Sequence, residues 1–267
     1  MPTVTGNYGF FSGTDAERAR DINALFHDDD VKAIICLNGG YGSARILDKL
    51  DYEYIASHPK LVVGFSDVTA LQIALWEKCR LVTANGPLMV TLGGSDAYTA
   101  GQFFQGLTTD AWRGSLALPA GRKLTTVVPG QAEGPIVGGN LTVLTSLVGT
   151  PYALDGTGCI LVLEDTGEDA YRIDRMLNQL WQSGLLSRVA AIAYGDFTDC
   201  PNDPGDFTTD QVLDYYAHLA GKPAIKGLPV GHTKDKAFVP YGVKVRLDAD
   251  REGASLTFID VCGLRPL

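Results

Sequence analysis

Residues 59–71 read Pro-Lys-Leu-Val-Val-Gly-Phe-Ser-Asp-Val-Thr-Ala-Leu. The apolar run at 60–63 fits a short strand buried on both faces. Gly64-Phe65-Ser66 is a tight turn, and a helix is expected over 67–76. A strand, a glycine two residues before a serine, and then a helix is the layout of a nucleophile elbow. It carries the hydroxyl to the carboxyl edge of a sheet and aims the first helix amides at the same point. Ser66 is therefore the candidate nucleophile. The match to Gly-x-Ser-x-Gly is incomplete, because Val68 stands where the second glycine belongs. A serine that only caps its helix is the plain alternative.

Upstream, Thr14 followed by Glu17 is a capping-box pattern for a helix running to about residue 27. An apolar run at 31–37 reads as a strand, broken by Asn38-Gly39-Gly40-Tyr41-Gly42, with a helix from about Ser43. Downstream, 81–84 is a third strand. Alternation of this kind predicts a parallel sheet covered by helices. The segment 1–12 reads as loop, so the first sheet is expected to lack an edge strand.

Beyond this the pattern changes. Residues 119–135 hold prolines and glycines and read as a linker or exposed hairpin. Helices are expected over 141–148, 171–181 and 212–219, with strands at 159–163, 189–193, 224–225, 243–247 and 255–259. The fold class is thus α/β. A parallel-sheet lobe over 1–118 carries the elbow, and a second, smaller, barrel-like α/β lobe spans 136–267.

The chain has 267 residues, 45% hydrophobic and 20% charged, which are globular values. Against about 150 residues per domain, one large or two modest domains are expected. No apolar stretch approaches the roughly 18 residues of a membrane span, and 1–4 does not open a secretory signal. A net charge of −9 argues against a nucleic-acid partner. The five cysteines, Cys36, Cys79, Cys159, Cys200 and Cys262, form no Cys-x-x-Cys pair. A disulfide framework or zinc site is not expected, and a reducing cytoplasm is.

The turn at 39–42 could supply an amide to an oxyanion or cradle a phosphate. As a dinucleotide fingerprint it fails at Arg45, where a third glycine belongs. A tight turn needing positive φ is the plain alternative. Of four histidines, His27, His58 and His218 read as loop or helix-surface residues. His232 follows Leu228-Pro229-Val230-Gly231 at an expected strand end, a position suited to a general base. A catalytic histidine needs an acid to orient it. The strand at 161–163 delivers Glu164 and Asp165, which alternation points to opposite faces, so one of them faces the site. Glu168 and Asp169 follow in a looser turn.

Together these segments resemble the LD-carboxypeptidases, also called muramoyltetrapeptide carboxypeptidases, a family of serine peptidases. The resemblance rests on GTDAERARDINALF at 13–26, IICLNGGYGSARILDKLDY at 34–52, PKLVVGFSDVTAL at 59–71, NGPL at 85–88, GPIVGGNLTVLTSLVGTPY at 134–152, LVLEDTGEDAYRIDRML at 161–177 and LPVGH at 228–232. These run in the family's order over most of the chain. The resemblance implies a Ser-Glu-His triad of Ser66, Glu164 and His232. It also implies oxyanion donors from the Asp67 amide and from Gly39 or Gly40. The substrate it implies is murein tetrapeptide, cleaved between an L-centre and terminal D-alanine in cell-wall recycling, without metal or organic cofactor. A small peptide is the expected partner, in a cytoplasmic homodimer. The family commonly has Arg at the position of Asn38 and His at that of Asn85, and usually begins with a further strand–helix–strand segment.

The sequence is compatible with three rival readings. One is a related serine peptidase that cleaves a peptidyl-nucleotide antibiotic and confers immunity, with Trp112 or Trp181 to stack on the base. Another is a non-catalytic binding protein for cell-wall peptides. The third, a nucleotide-dependent oxidoreductase, would use the 39–42 turn.

Overall fold

The structure is a computed structural model that describes residues 1–108, 112–251 and 253–259. Cys262 lies outside the described residues; Cys36, Cys79, Cys159 and Cys200 are free thiols. In chain order the strands are β1 (Ala33–Ile35), β2 (Leu61–Gly64), β3 (Thr83–Asn85), β4 (Gly114–Ser115), β5 (Thr125–Val128), β6 (Gly130–Asn140), β7 (Ile160–Thr166), β8 (Ala191–Thr198), β9 (Ala224–Lys226), β10 (Val239–Tyr241), β11 (Lys244–Ala249) and β12 (Ala254–Phe258).

They form two sheets. The first has the order β1-β2-β3-β10, with β1, β2 and β3 parallel and β10 antiparallel to β3. The second has eight strands in the order β4-β12-β11-β6-β7-β8-β9-β5, with β6 to β9 parallel. The larger sheet is not confined to the second lobe, since its end strand β4 lies within 1–118. Nor is it a closed barrel: its end strands β4 and β5 pair only with β12 and β9 among the described residues.

The segment 119–135, read from its prolines and glycines as a linker or hairpin, is strand over much of its length. Its two strands do not pair with each other. β5 pairs with β9, while β6 pairs with β11 and β7. Gly130 turns the chain between them with φ at 146°.

Local chemistry and burial fix the elements that place the site. Thr14 closes its capping box on the helix Asp15–His27, with Glu17 Oε2 accepting from the Thr14 amide at 2.9 Å. The helix Thr69–Cys79 is buried continuously from Thr69 to Leu75, because it lies between the first sheet and the second lobe. One apolar cluster joins Ala19, Leu71 and Leu75 of the first lobe to Leu144, Leu161 and Leu213 of the second. Gln72, inside that helix, donates to the carbonyls of Gly64 at 3.1 Å and Ala84 at 2.8 Å, tying together the ends of β2 and β3. The carboxyl edge of the first sheet is thereby fixed where β2 delivers its turn.

Candidate active site

Ser66 sits in that turn with φ at 65°, a left-handed conformation uncommon for a residue with a side chain. Such strain persists only where the surroundings impose it, and here the packing is tight. A Cβ at Gly64 would stand 2.9 Å from Val68 Cγ1. This explains the Val68 departure: the isopropyl group occupies the space that the missing Gly64 side chain leaves. Gly39 also comes close, since a Cβ there would lie 3.2 Å from Ser66 Cβ. The glycine turn is held against the elbow by the Asp67 carboxylate, whose Oδ2 accepts from the Ser43 amide at 2.8 Å and hydroxyl at 2.7 Å.

Glu164 lies in the buried run of β7, in register with Asn140 of β6. The two adjacent acids separate as alternation requires. Asp165 turns away, accepting from Asn140 Nδ2 at 2.8 Å and from the Thr142 amide at 2.9 Å, and so holds Asn140, the cap of the helix Leu141–Ser146. Glu164 turns toward the lobe interface and is 0% exposed. Burial pushes its carboxyl up from the ordinary glutamate range, and the hydrogen bond and charge of His232 pull against that shift.

His232 arrives on the loop after β9. Arg122 holds this loop, donating to the carbonyls of Gly227 at 2.7 Å and Leu228 at 3.0 Å while pairing with Asp196 at 2.6 Å. Gly231 has φ at 113°, and a Cβ there would fall 2.7 Å from Glu164 Oε2. Only glycine lets the loop pass that close.

The three groups meet. His232 Nε2 lies 3.0 Å from Ser66 Oγ, and His232 Nδ1 lies 3.0 Å from Glu164 Oε2. A carboxylate only accepts, so Nδ1–H donates to Glu164 and Nε2 is left to accept from the serine hydroxyl. The imidazole side chain is 25% exposed. Its ring packs edge-on against Phe65, with centroids 5.0 Å apart.

Of the two glycines expected to offer an oxyanion donor, Gly39 has its amide engaged: it donates to Asn38 Oδ1 at 2.9 Å. The Gly40 amide has no such bond among the described residues. The remaining histidines lie elsewhere. His27 and His58 stack on Tyr54, and His218 Nδ1 bonds the Asp214 carbonyl at 2.7 Å. Glu168 and Asp169 pair with Arg172. Trp112 is core, 6% exposed and packed on Phe238; Trp181 packs at the edge of the main apolar cluster. Among the described residues, no group of three or more His, Cys, Asp and Glu side chains could hold a metal ion.

Sequence reasoning missed the Asp67 side chain, Arg122 and Lys236. The last is a buried lysine whose Nζ lies 4.9 Å over the Phe65 ring. Its position four residues after His232, in Thr233-Lys234-Asp235-Lys236, reads as a solvated loop.

Residues 1–86 match the LD-carboxypeptidase N-terminal domain, and residues 133–247 match the C-terminal domain. The probable murein peptide carboxypeptidase of Bacillus subtilis (strain 168) is 39% identical over 259 residues, covering 94% of this chain and 79% of that protein. The microcin C7 self-immunity protein MccF of Escherichia coli is 30% identical, covering 95% of this chain and 82% of that protein. The crystal structure of a muramoyltetrapeptide carboxypeptidase from Oxalobacter formigenes superimposes with a TM-score of 0.84 at 34% identity, over 96% of this chain and 88% of that one. With both halves of the sequence matched in this way, the chain belongs to the LD-carboxypeptidase family.

Proposed function

We propose that this protein is a serine-type LD-carboxypeptidase that removes the terminal D-alanine from murein tetrapeptide, with Ser66, His232 and Glu164 as its triad. The observation that carries the reading is the unbroken path from Ser66 Oγ through His232 to Glu164, 3.0 Å at each step. Ser66 Oγ attacks the carbonyl of the L-centre as His232 Nε2 takes its proton. Glu164, buried and anionic in this step, orients the ring and stabilises the imidazolium. The amides of Asp67 and Gly40 face the developing oxyanion, each such donor being worth roughly 3–4 kcal/mol. His232 then gives the proton to the departing amine of D-alanine. Water adds to the acyl-enzyme with His232 as base, which releases the tripeptide and frees Ser66.

The test is mass spectrometry of muropeptides after incubation with the protein. Loss of one alanine from tetrapeptide is expected, and an unaltered tetrapeptide contradicts the reading. The similarity to the self-immunity protein keeps a second reading in view, cleavage of a peptidyl-nucleotide. The burial of Trp112 removes one of the two tryptophans that would stack on a base. Faster hydrolysis of an acyl-sulfamoyl nucleoside than of tetrapeptide would favour that second reading. The proposal includes a cytoplasmic homodimer. Sedimentation is expected to give twice the 28.5 kDa chain mass, and a monomer at working concentration contradicts that part.

A further inference from the structure

Lys236 is 9% exposed and lies beside the triad, with no carboxylate partner among the described residues. Its ammonium carries three donors. One goes to the Thr233 carbonyl, and the ring of Phe65 lies beneath the charge at 4.9 Å. Among the described residues it forms no ion pair. The contrast with Arg122, Lys226 and Arg246 is plain, since each of these pairs with an acid. A cation taken out of water without a close anion is costly. Burial pulls this ammonium below the ordinary lysine range, while the more distant Glu164, Asp196, Asp96 and Asp235 pull it back up.

The position is built. The Lys236 amide donates to Thr99 Oγ1 at 2.9 Å, and Thr99 Oγ1 donates to the Lys234 carbonyl at 3.2 Å. The Thr99 amide in turn donates to Asp96 Oδ1 at 2.8 Å, at the start of the helix Ala97–Thr108. Lys236 and His232 pack on one aromatic ring, that of Phe65, immediately before Ser66.

We infer that Lys236 binds the free carboxylate of the peptide's terminal residue. The inference rests on the carboxypeptidase reading of the site. In a terminal amino acid only the α-carbon separates the scissile nitrogen from the carboxylate. A group that recognises that carboxylate must therefore lie close to the base that protonates the nitrogen, and Lys236 is the buried, ion-pair-free cation in that place. It is a specificity residue, selecting a chain end over an internal amide.

The experiment separates binding from turnover. Tetrapeptide as free acid and as C-terminal amide is titrated by calorimetry into Ser66→Ala and into Ser66→Ala/Lys236→Met protein, with Lys236→Gln in place of Lys236→Met if the latter does not fold. The Ser66→Ala protein is expected to prefer the acid by about 10–100-fold, the worth of a charge-assisted hydrogen bond. Removal of the lysine is expected to erase that preference while amide binding stays as it was. Retained acid preference in the double variant overturns the inference. So does equal loss of acid and amide binding, which marks a structural role, or the absence of acid preference in Ser66→Ala. D-alanine release by the unmodified protein is measured in parallel. If acid preference depends on Lys236 while no D-alanine appears, the carboxypeptidase reading fails and the carboxylate site stands.

Discussion

The elbow around Ser66 is positioned by backbone and sterics: a left-handed φ, a glycine where any Cβ would strike Val68, and a helix buried from its first residue. Glu164 and His232 are positioned by side-chain hydrogen bonds and charge, on the other sheet and on a loop clamped by Arg122. The nucleophile's place should therefore answer to changes of shape and hardly to pH. The acid–base pair should answer to protonation and little to small changes of volume.

The largest expected effect is that of Ser66→Ala. By analogy with other serine hydrolases it lowers turnover by about 10⁶-fold, with the melting temperature unchanged, as D-alanine release and calorimetry would record. Glu164→Gln comes next, with a loss of about 10⁴-fold in kcat. Its stability should move in the opposite sense to its activity. Burial raises the Glu164 pKa in the folded protein, so the folded state holds that proton more tightly than the unfolded chain does. The favourable contribution is full at low pH, begins to fall at the ordinary glutamate value, about 4.3, and is lost as pH rises on through the higher folded value. Glu164→Gln should thus gain melting temperature relative to the unmodified protein between acid and neutral pH. A parallel pair of stability curves would show that the carboxyl is not perturbed in this direction.

Most of the first lobe was legible because its signals are local. The elbow, the capping box at Thr14 and the three parallel strands all lie within short windows of sequence. The choice between Glu164 and Asp165 was legible only through the family resemblance, since alternation says only that they part. Which acid faces the site depends on the register of β7 with β6, and on Thr142 and Asn140 claiming Asp165. β5 hid in a proline- and glycine-bearing stretch because its partner β9 lies about a hundred residues away. β10, three residues with a central Pro240, joins the first sheet from the far end of the chain. Lys236 reads as solvated from its polar neighbours, and only the packing of that crossing buries it.

Two smaller effects sharpen the contrast further. Gly64→Ala should cost about 1–3 kcal/mol through overpacking against Val68. Adding Val68→Ala should recover much of that loss, a coupling that a double-mutant cycle on chemical denaturation would measure. Additive losses would mean that the two positions do not share one space. Smallest is Ser66→Gly, which removes the left-handed strain and should stabilise the fold by about 1 kcal/mol.

The central claim, that one activated hydroxyl between the lobes does the chemistry, is tested most directly by covalent labelling. The protein is treated with a fluorophosphonate, digested, and mapped by mass spectrometry. The account predicts a single adduct on Ser66, formed rapidly in the unmodified protein and lost when His232 is replaced by Ala. An adduct on another residue, or labelling of Ser66 at an unchanged rate without His232, would contradict it.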